Sequence, residues 1–389
     1  MNEINTLFFE LIRVAIGTQL SLSRQPSPNE WTTLYEIAKK QSLIGICFAG
    51  VQRLCISETS DYSGLSEILY LTWMGMAAKI QQRNEVVNAQ CVEVQQMIEK
   101  EGLRTFIMKG QGNATLYNDD LKLLRQSGDI DIYLEGGFEN VNAFVQRTCP
   151  TNEINELEIH YHCFQDPSTD NFDSAQYKSG GGTEVEIHYR PFIMRNPFKN
   201  RKLQKFFATE SEKCFENKIA LPNGAGEITV PTTTFNLVHQ MVHIYHHLFT
   251  EGIGMRQLMD YHFVVKHEME VEKGLGVREV QKVISELGLD RFASALMWVL
   301  GEVFGLTTEL APCQPCKADG RIILAEVMQS GNFGKQDARA EGMDESKWKS
   351  FWFVNGKTFR FWQFDPWAWF WSPLWRVYHN IWKKTKGFE

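Results

Sequence analysis

Long apolar runs are missing from this sequence of 389 residues. No stretch approaches the ~20 consecutive apolar residues that cross a bilayer as a helix. The first residues, Met1 to Glu3, also lack the basic segment that opens a signal peptide. We therefore expect a cytoplasmic protein without a transmembrane segment.

An excess of positive charge is missing as well. The 40 Lys and Arg residues face 47 Asp and Glu residues, which gives a net charge of -7. No global positive field would hold a long nucleic-acid duplex through its phosphates, so such a partner would need a local basic surface. The hydrophobic fraction of 43% and the charged fraction of 22% are typical of a folded globular chain and exclude a disordered or fibrous one.

Cysteine is sparse, with eight residues scattered along the chain, and this pattern predicts reduced, mostly buried thiols. Only Cys313 and Cys316, in the sequence PCQPC, have a spacing that suggests metal binding. Because a single C-x-x-C without a second pair is weak evidence for zinc, we favour structural thiols.

The periodicity of apolar residues changes twice along the chain and predicts an α+β fold. Helical spacing of three and four residues runs to about residue 100, short strand-like runs follow, and helical spacing returns near Thr232. Strands are predicted at 105–108, 129–134, 157–164 and 183–189. The predicted regions are an N-terminal helical region (1–100), a mixed-sheet core (101–230), a helical domain (231–310) and an irregular, Trp-rich C-terminal region (311–389).

The most informative segment of the core is the strand that begins at Asp129. Because side chains alternate along a strand, Asp129 and Asp131 share one face while the isoleucines between and after them share the other. Two adjacent carboxylates repel each other unless a cation compensates, and hard oxygen ligands suit Mg²⁺. A third acid would come from Glu158 or from Glu186, which lies in the cleaner strand pattern. The alternative is a solvated pair of acids at a sheet edge.

The surroundings of this acid pair resemble a known superfamily. Lys109-Gly110 after a strand, then RxxGDIDIY and later VEIHYR, look like the polymerase β-like nucleotidyltransferases. They are most similar to a bacterial branch of uncharacterised nucleotidyltransferases, over about residues 103 to 265. The resemblance implies a mixed-sheet catalytic core between helical regions. It also implies transfer of a nucleoside monophosphate from a nucleoside triphosphate such as ATP to an acceptor hydroxyl or phosphate, with release of pyrophosphate.

Residue by residue, the resemblance implies that Asp129, Asp131 and Glu186 hold two Mg²⁺ ions, for which Mn²⁺ could substitute. The residues implied in nucleotide binding are Lys109, Gly110, Arg125, Ser127 and Gly128. The chain departs from the superfamily pattern in two ways. Lys109-Gly110 replaces the usual Gly-Ser, and 18 residues separate Gly110 from Asp129, where about ten are usual.

Several polar side chains near these motifs have two interpretations. Arg125 either neutralises triphosphate oxygens or pairs at the surface with Asp119 or Asp120. His188 shares a strand face with Glu186. It either acts as a base or holds the acceptor, or it packs in the core or forms a hydrogen bond with Glu186, and Arg190 has the same ambiguity.

The strand pattern at 157–164 carries His160 and His162. If that strand adjoins the one at 183–189, its histidines would border the metal site.

A histidine-rich helix is predicted after Thr232, and His239, His243 and His246 or His247 share one of its faces. These residues either bind zinc or line a cleft as hydrogen-bonded histidines, and we favour the cleft. The bacterial branch tends to carry such a helix followed by Gly, Arg and Asp, which here are Gly254, Arg256 and Asp260. Their spacing of four residues predicts a salt bridge between Arg256 and Asp260. The resemblance instead implies that Arg256 contacts the phosphate or the base of the nucleotide.

Eight of the eleven tryptophans lie after residue 347, and a helix is predicted at 373–386. Trp371, Trp375, Tyr378 and Trp382 fall along one stripe of it. We favour packing against the protein body, and the alternative is contact of residues 346–389 with a partner or a membrane surface.

The sequence does not determine the acceptor, for which a small molecule, a tRNA end and a protein are the alternatives. The rival function is a catalytically inactive nucleotide-binding or scaffold protein that docks a partner through its Trp-rich C-terminus.

Overall fold

The computed structural model describes residues 3–56, 64–148, 159–163, 183–332 and 356–386. The N-terminal region is helical, as the apolar spacing predicts. Ser27 and Glu30 form a capping box at the start of one helix, with Pro28 at its first position, so local sequence fixes where that helix begins. The helices of this region are α1 (Glu3–Ile16), α2 (Pro28–Lys40), α3 (Ile44–Ile56) and α4 (Glu67–Lys100).

Four strands form the central sheet: β1 (Thr105–Met108), β2 (Ile130–Leu134), β3 (His160–Cys163) and β4 (Val185–His188). Their order is β1-β2-β4-β3, with β2 parallel to β4 and the other two pairs antiparallel. All four coincide with the predicted strands; β1 has the predicted bounds, and the other three are one to several residues shorter. The predicted ends at Leu157 and Phe164 lie outside the described residues. The α+β class predicted from the sequence is confirmed.

The two faces of the sheet differ in chemistry because apolar and polar residues alternate along its strands. One face presents side chains such as Ile132, Tyr161 and Ile187, which pack in a core with α4. The opposite face presents Asp131 and Glu186, together with three histidines. The sheet therefore divides a smaller apolar core from a polar surface that needs another layer to cover it.

Helices of the second half of the chain supply that layer. Before these helices the chain forms several smaller elements. Between the strands of the sheet lie α5 (Gly110–Ala114) and α6 (Gly137–Thr148), and after β4 come α7 (Pro197–Cys214) and a hairpin of β5 (Lys218–Ala220) and β6 (Glu227–Thr229). The helices that follow are α8 (Thr233–Phe249), α9 (Met255–Glu270), α10 (Val277–Leu287), α11 (Asp290–Phe304) and α12 (Lys317–Ser330). Thr232 caps α8, as predicted, by accepting a hydrogen bond from the Phe235 amide.

A larger apolar core collects residues from both ends of the chain. It contains Leu7, Phe106, Phe235 and Ile323, so it crosses the sequence positions at which the region boundaries are predicted. Those boundaries stay predictions. The N-terminal helices thus stabilise the same core as the helices that face the sheet.

Part of the C-terminal region predicted to be irregular (311–389) is helical, because α12 occupies 317–330. Ile323, Leu324 and Val327 of α12 are buried. Gly320 permits close approach to α11, since a Cβ at this position would lie 2.9 Å from the Ala295 carbonyl oxygen. Burial of this apolar stripe stabilises the helix despite the proline and glycine residues around it. Residues 333–350 lie outside the described part of the chain.

The last described helix, α13 (Ala368–Lys386), begins five residues before the predicted start at 373. Of the predicted aromatic stripe, Trp375 and Trp382 face the body of the protein, where the Trp382 ring contacts Phe138 at a centroid distance of 5.3 Å. Tyr378 is exposed. In the described part of the chain no helix combines the length and the apolar character needed to cross a membrane.

Candidate active site

Three carboxylates meet on the polar face of the sheet. Asp131 in β2 lies opposite Glu186 in the neighbouring parallel strand β4, and Asp129 immediately precedes β2. One oxygen from each of the three carboxylates lies within 4.8 Å of the others. The structure therefore brings the predicted acid pair together with Glu186. Glu158, the other candidate for the third acid, lies outside the described residues.

Lys109 reaches this carboxylate cluster from the turn that follows β1. Its Nζ atom lies 2.5 Å from Asp131 Oδ1, and its own backbone has a φ of +46°, which is rare for a residue with a side chain. Gly110 follows with a φ of +41°. The turn therefore has two consecutive residues with positive φ. Glycine adopts this conformation readily, whereas Lys109 is strained by it, and such backbone strain is common at functional sites.

The pKa values of the two aspartates move in opposite directions. Although Asp129 retains solvent exposure, it lies in the mouth of a cleft, where desolvation and the charges of Asp131 and Glu186 raise its pKa to about 7. Burial also acts to raise the pKa of Asp131, but the Lys109 ammonium and a hydrogen bond from His188 outweigh burial and hold it well below its usual range. The cluster carries more negative charge than one lysine neutralises.

Histidines border the acids on the β4 side. His188 Nε2 lies 3.1 Å from Asp131 Oδ1 and 3.3 Å from Glu186 Oε2. His160 of β3 lies opposite His188, and its Nε2 is 3.4 Å from Glu186 Oε2. Burial lowers the pKa of His188, but its hydrogen bonds to Asp131 and Glu186 raise it by more, so the net shift is upward.

Arg125 forms one wall of the cleft rather than a surface pair. Its guanidinium donates two hydrogen bonds of 2.7 Å to the two carboxylate oxygens of Asp260, and the Tyr117 hydroxyl donates a third at 2.6 Å. All three side chains are buried. The surface alternative with Asp119 or Asp120 is not found, because Asp119 pairs with Lys122 and Asp120 with Arg53.

Arg256 has the opposite environment, although it lies one helical turn from Asp260. Its Nη1 donates to the Gln126 carbonyl oxygen at 2.9 Å, and no carboxylate of the described chain lies within ion-pair distance. Its Nε is buried without a hydrogen-bond partner among the described residues. The guanidinium lies next to Gly128, because a Cβ added to this glycine would be 3.8 Å from Nη1, an ordinary van der Waals distance. Arg256 therefore faces the turn that leads into β2.

Two of the three carboxylates, Asp129 and Asp131, line one cleft between the sheet, α8 and α9, and Glu186 lies beside Asp131 on the adjacent strand. The lining residues of the cleft are Lys109, Gly110, Asn113, Arg125, Gly128, Asp129, Asp131, Gln240, His243, Ile244, Arg256, Gln257 and Asp260. A larger cavity of about 240 Å³ is lined by other residues of α5, with Thr232 and His267, and contains none of the three carboxylates. We place the candidate site in the smaller cleft because the charged groups converge there.

Comparison with known proteins agrees with this geometry. Residues 27–305 match the model of a family described as uncharacterised nucleotidyltransferase. The chain belongs to this nucleotidyltransferase family. The match covers the sheet, α8, α9 and every residue that lines the cleft, so the resemblance predicted from the sequence motifs is confirmed.

Two further comparisons add little to the family assignment. A crystal structure of an antigenic nucleotidyltransferase-like protein from Paracoccidioides brasiliensis is similar over 63% of this chain and 98% of that one, with 12% sequence identity and a TM-score of 0.31. No curated protein matches the chain.

Two of the predicted site residues, Arg190 and His243, stand apart from the carboxylates. Arg190 follows the end of β4, is exposed, and lies over the Tyr189 ring at 5.9 Å from its centroid. His243 lines the cleft from α8, and burial together with neighbouring His247 lowers its pKa well below the usual range. Its ring lies 4.3 Å from that of His247. Among the described residues no group with metal-ligand spacing includes the α8 histidines or Cys313 and Cys316.

Sequence reasoning missed a chain of amides in the wall of the cleft. Gln240 donates to Asn236, and Asn236 donates to Asn113 at 2.8 Å. Gln240 and Asn236 are four residues apart on α8, a spacing that could have indicated their contact. No local pattern links either residue to Asn113, which lies on the short helix after the Lys109 turn.

Proposed function

We propose that this chain is a nucleotidyltransferase that moves a nucleoside monophosphate from a nucleoside triphosphate to the hydroxyl or phosphate of an acceptor. In this reaction the acceptor oxygen forms a bond to the α-phosphorus, and the bond from that phosphorus to pyrophosphate breaks. The observation that carries the proposal is the convergence of Asp129, Asp131 and Glu186 on adjacent parallel strands of a chain of this family.

The donor set fits divalent metal ions. The three carboxylates offer only oxygen ligands, which suit Mg²⁺ and also accept Mn²⁺, and the raised pKa of Asp129 reflects negative charge that a cation would neutralise. When bound, a pair of such ions would neutralise charge on the attacking and leaving oxygens. Asp129, Asp131 and Glu186 are the residues that would hold them.

The basic residues of the cleft have separate tasks in this proposal. Arg256 supplies a guanidinium without a carboxylate partner among the described residues, so it is available to bind phosphate oxygens. Arg125 is held by Asp260, so it positions the wall and the Gln126 carbonyl to which Arg256 donates. Lys109 neutralises Asp131 and would contact phosphate by turning away from it. Gly128 borders the same space, whereas Ser127 precedes it in the chain and is not among the residues that line the cleft.

A second candidate function is a nucleotide-binding protein without turnover. The observation that favours it is the Lys109 ammonium, which lies 2.5 Å from Asp131 Oδ1 and so supplies a cation where a metal ion would bind. Under this alternative the site recognises a nucleotide, and the C-terminal helix recruits a partner. The acceptor in the first proposal stays open among small molecules, tRNA ends and proteins.

Isothermal titration with each of the four ribonucleoside triphosphates tests both proposals. We expect binding that requires Mg²⁺, disappears in EDTA and is lost in the Asp129→Ala, Asp131→Ala double variant. Arg190→Gln is the matched control because Arg190 is exposed outside the cleft. Pyrophosphate release with a mixture of acceptors would support transfer. Binding without release favours the second candidate, and no binding of any triphosphate would contradict both.

A further inference from the structure

Beside the three acids, strands β3 and β4 place a block of four polar side chains on one face of the sheet. His160 lies opposite His188, and His162 lies opposite Glu186 in the antiparallel register. Side chains directly opposite each other on one face of such a pair are close enough to bind a common ligand. Three of the four are imidazoles, so this block differs in chemistry from the neighbouring cluster of carboxylates.

The distances in this block match those between ligands of one metal ion. Glu186 Oε2 lies 3.4 Å from His160 Nε2 and 3.3 Å from His188 Nε2. Two ligands at roughly 2.0 to 2.1 Å from a tetrahedral zinc ion are roughly 3.3 to 3.4 Å apart. All three donor atoms lie within 4.8 Å of one another.

We propose that His160, Glu186 and His188 form a binding site for a divalent transition metal such as zinc. Imidazole nitrogen favours these ions over Mg²⁺, whereas the site of Asp129 and Asp131 offers only oxygen. The two sites share Glu186, whose carboxylate has two oxygens. The cleft then holds one nitrogen-rich site and one oxygen-only site side by side.

The surroundings of the block are consistent with a preformed site. His160 and His188 are buried, so their rings are held by packing. His162 Nδ1 lies 2.5 Å from Glu184 Oε1, which orients the third imidazole beside the site. This inference shares Glu186 with the proposed transfer site, but it requires neither nucleotide binding nor turnover.

The test is titration of metal-free protein with Co²⁺ alone, monitored by its visible absorption. The titration uses the Cys313→Ser, Cys316→Ser background, which removes the C-x-x-C pair as a competing ligand. We expect one Co²⁺ per chain with the visible band of a four- or five-coordinate ion. His160→Gln and His188→Gln should each weaken binding at least tenfold.

Matched variants separate this site from the others. Asp129→Asn should keep the band, because Asp129 belongs only to the oxygen site. His267→Gln, which removes a partly exposed histidine on α9, should also keep it. Thermal unfolding is a second readout, in which Co²⁺ at a concentration that saturates the parent should raise the Tm of the parent and of Asp129→Asn equally, and that of His160→Gln by less.

Three results would overturn the proposal. They are the absence of a visible band in the parent protein, an unchanged Co²⁺ affinity in His160→Gln, and loss of the band in Asp129→Asn. If His188→Gln does not fold, His160→Gln decides the matter. Because no nucleotide is present, a failure of the transfer proposal would leave these results unchanged.

A separate observation concerns the surface of α13. One stripe of this helix is apolar and 42 to 60% exposed, although its opposite face packs on the protein. The stripe consists of Phe370, Leu374, Val377, Tyr378 and Ile381, which we call the outer stripe. Its spacing of three and four residues is that of a helix face that normally finds a partner.

Charge indicates which partner fits the outer stripe. Lys383, Lys384 and Lys386 end the helix, although Lys386 also pairs with Glu139 at 2.8 Å, and the whole chain has a net charge of -7. Exposed Trp367 and Trp369 lie at the other end of the stripe. Aromatic side chains beside lysines are typical of helices that lie in the interface of an anionic bilayer. We infer that the outer stripe binds a membrane surface of negative charge.

Cosedimentation of the full chain with lipid vesicles tests this second inference. We expect binding to vesicles that contain phosphatidylserine, at least tenfold weaker binding to pure phosphatidylcholine, and loss of binding in Phe370→Ser, Val377→Ser, Ile381→Ser. Leu275→Ser is the control, because Leu275 is exposed elsewhere. No vesicle binding, or a dimer that the triple variant abolishes without any effect of lipid, would overturn it.

Discussion

The wall and the floor of the cleft contain the same kinds of charged group in opposite arrangements. In the wall, the Arg125 guanidinium is matched by the Asp260 carboxylate and the Tyr117 hydroxyl, and all of them are buried. In the floor, Asp129, Asp131 and Glu186 crowd around the Lys109 ammonium and two imidazoles. A buried charge that is paired with an opposite charge contributes to the structure, whereas a cluster with an excess of one sign favours binding of a ligand of the opposite sign. Variants at the two places should therefore affect different properties.

The largest expected effect is on catalysis, from the floor. Asp129→Asn or Asp131→Asn should lower the rate of nucleotidyl transfer by about 10³-fold or more, at the upper end of the loss seen when one group that stabilises the transition state is removed. Single-turnover pyrophosphate release measures this rate. Asp129→Asn should keep the stability of the parent near pH 7, because the raised pKa already penalises its charged form. A fully active Asp131→Asn enzyme would contradict the assignment.

The next effect is on stability, from the wall. Asp260→Asn leaves the buried Arg125 guanidinium without its counter-charge and should lower the free energy of unfolding by about 3 to 5 kcal/mol. Urea denaturation measures this change. Asp119→Asn is the control, because its pair with Lys122 lies at the surface, where solvent screens the attraction and the pair contributes little to stability. An Asp260→Asn protein as stable as the control variant would show that the wall is not a structural pair.

Arg256 lies in the wall of the cleft, but like the floor it carries an unmatched charge, because no carboxylate of the described residues pairs with it. Arg256→Gln should weaken triphosphate binding by about 10- to 100-fold, the effect of one or two charged hydrogen bonds, and should lower the free energy of unfolding by less than Asp260→Asn, because only its hydrogen bond to the Gln126 carbonyl is lost. Titration calorimetry and urea denaturation measure the two quantities. Equal triphosphate affinity in Arg256→Gln and Arg190→Gln would exclude the phosphate role.

The smallest effect is a pH dependence that comes from Asp129. Its folded-state pKa of about 7 lies above the ordinary value of 3.8, so the folded state holds this proton more tightly than the unfolded state. The contribution of Asp129 to stability should therefore fall as pH rises from about 4 to 7 and stay constant outside that window. Mg²⁺ competes with the same proton, so its affinity should fall by up to about tenfold per pH unit below 7.

Asp129→Asn should abolish this slope in both measurements. Asp365→Asn is a suitable control, because Asp365 is paired with Lys199 and Tyr245 away from the cleft. If the pH dependence of Mg²⁺ binding persists in Asp129→Asn, another group is responsible.

The sequence predicted the strands around Asp129 and Glu186 because alternation of polar and apolar residues is a local property. It also predicted which side chains share a strand face, since that depends only on the period of two. It did not predict that β4 lies between β2 and β3, although this order creates both the acid cluster and the histidine block. Pairing between strands that are more than 20 residues apart leaves no local signature.

The two arginines illustrate the same limit. Their spacing predicted that Arg256 pairs with Asp260, or that it reaches a nucleotide, and left Arg125 open between phosphate and a surface acid. In the structure Arg125 pairs with Asp260, which lies 135 residues further along the chain. Arg256 has no carboxylate partner among the described residues. Asp260 offers Arg125 a bidentate pair in a buried place, and only the packing of α9 against the sheet creates that place.

The sequence by itself determined the class of fold, the helix starts at Ser27 and Thr232, and the chemistry of each strand face, because short-range sterics and periodicity control all of these. The tertiary structure decided which charges are matched. It gave Arg125 a partner and left Arg256 without a carboxylate in the described chain. It also brought Glu186 and two histidines to the aspartates, because long-range contacts in a core shared by both ends of the chain fix how the helices meet the sheet.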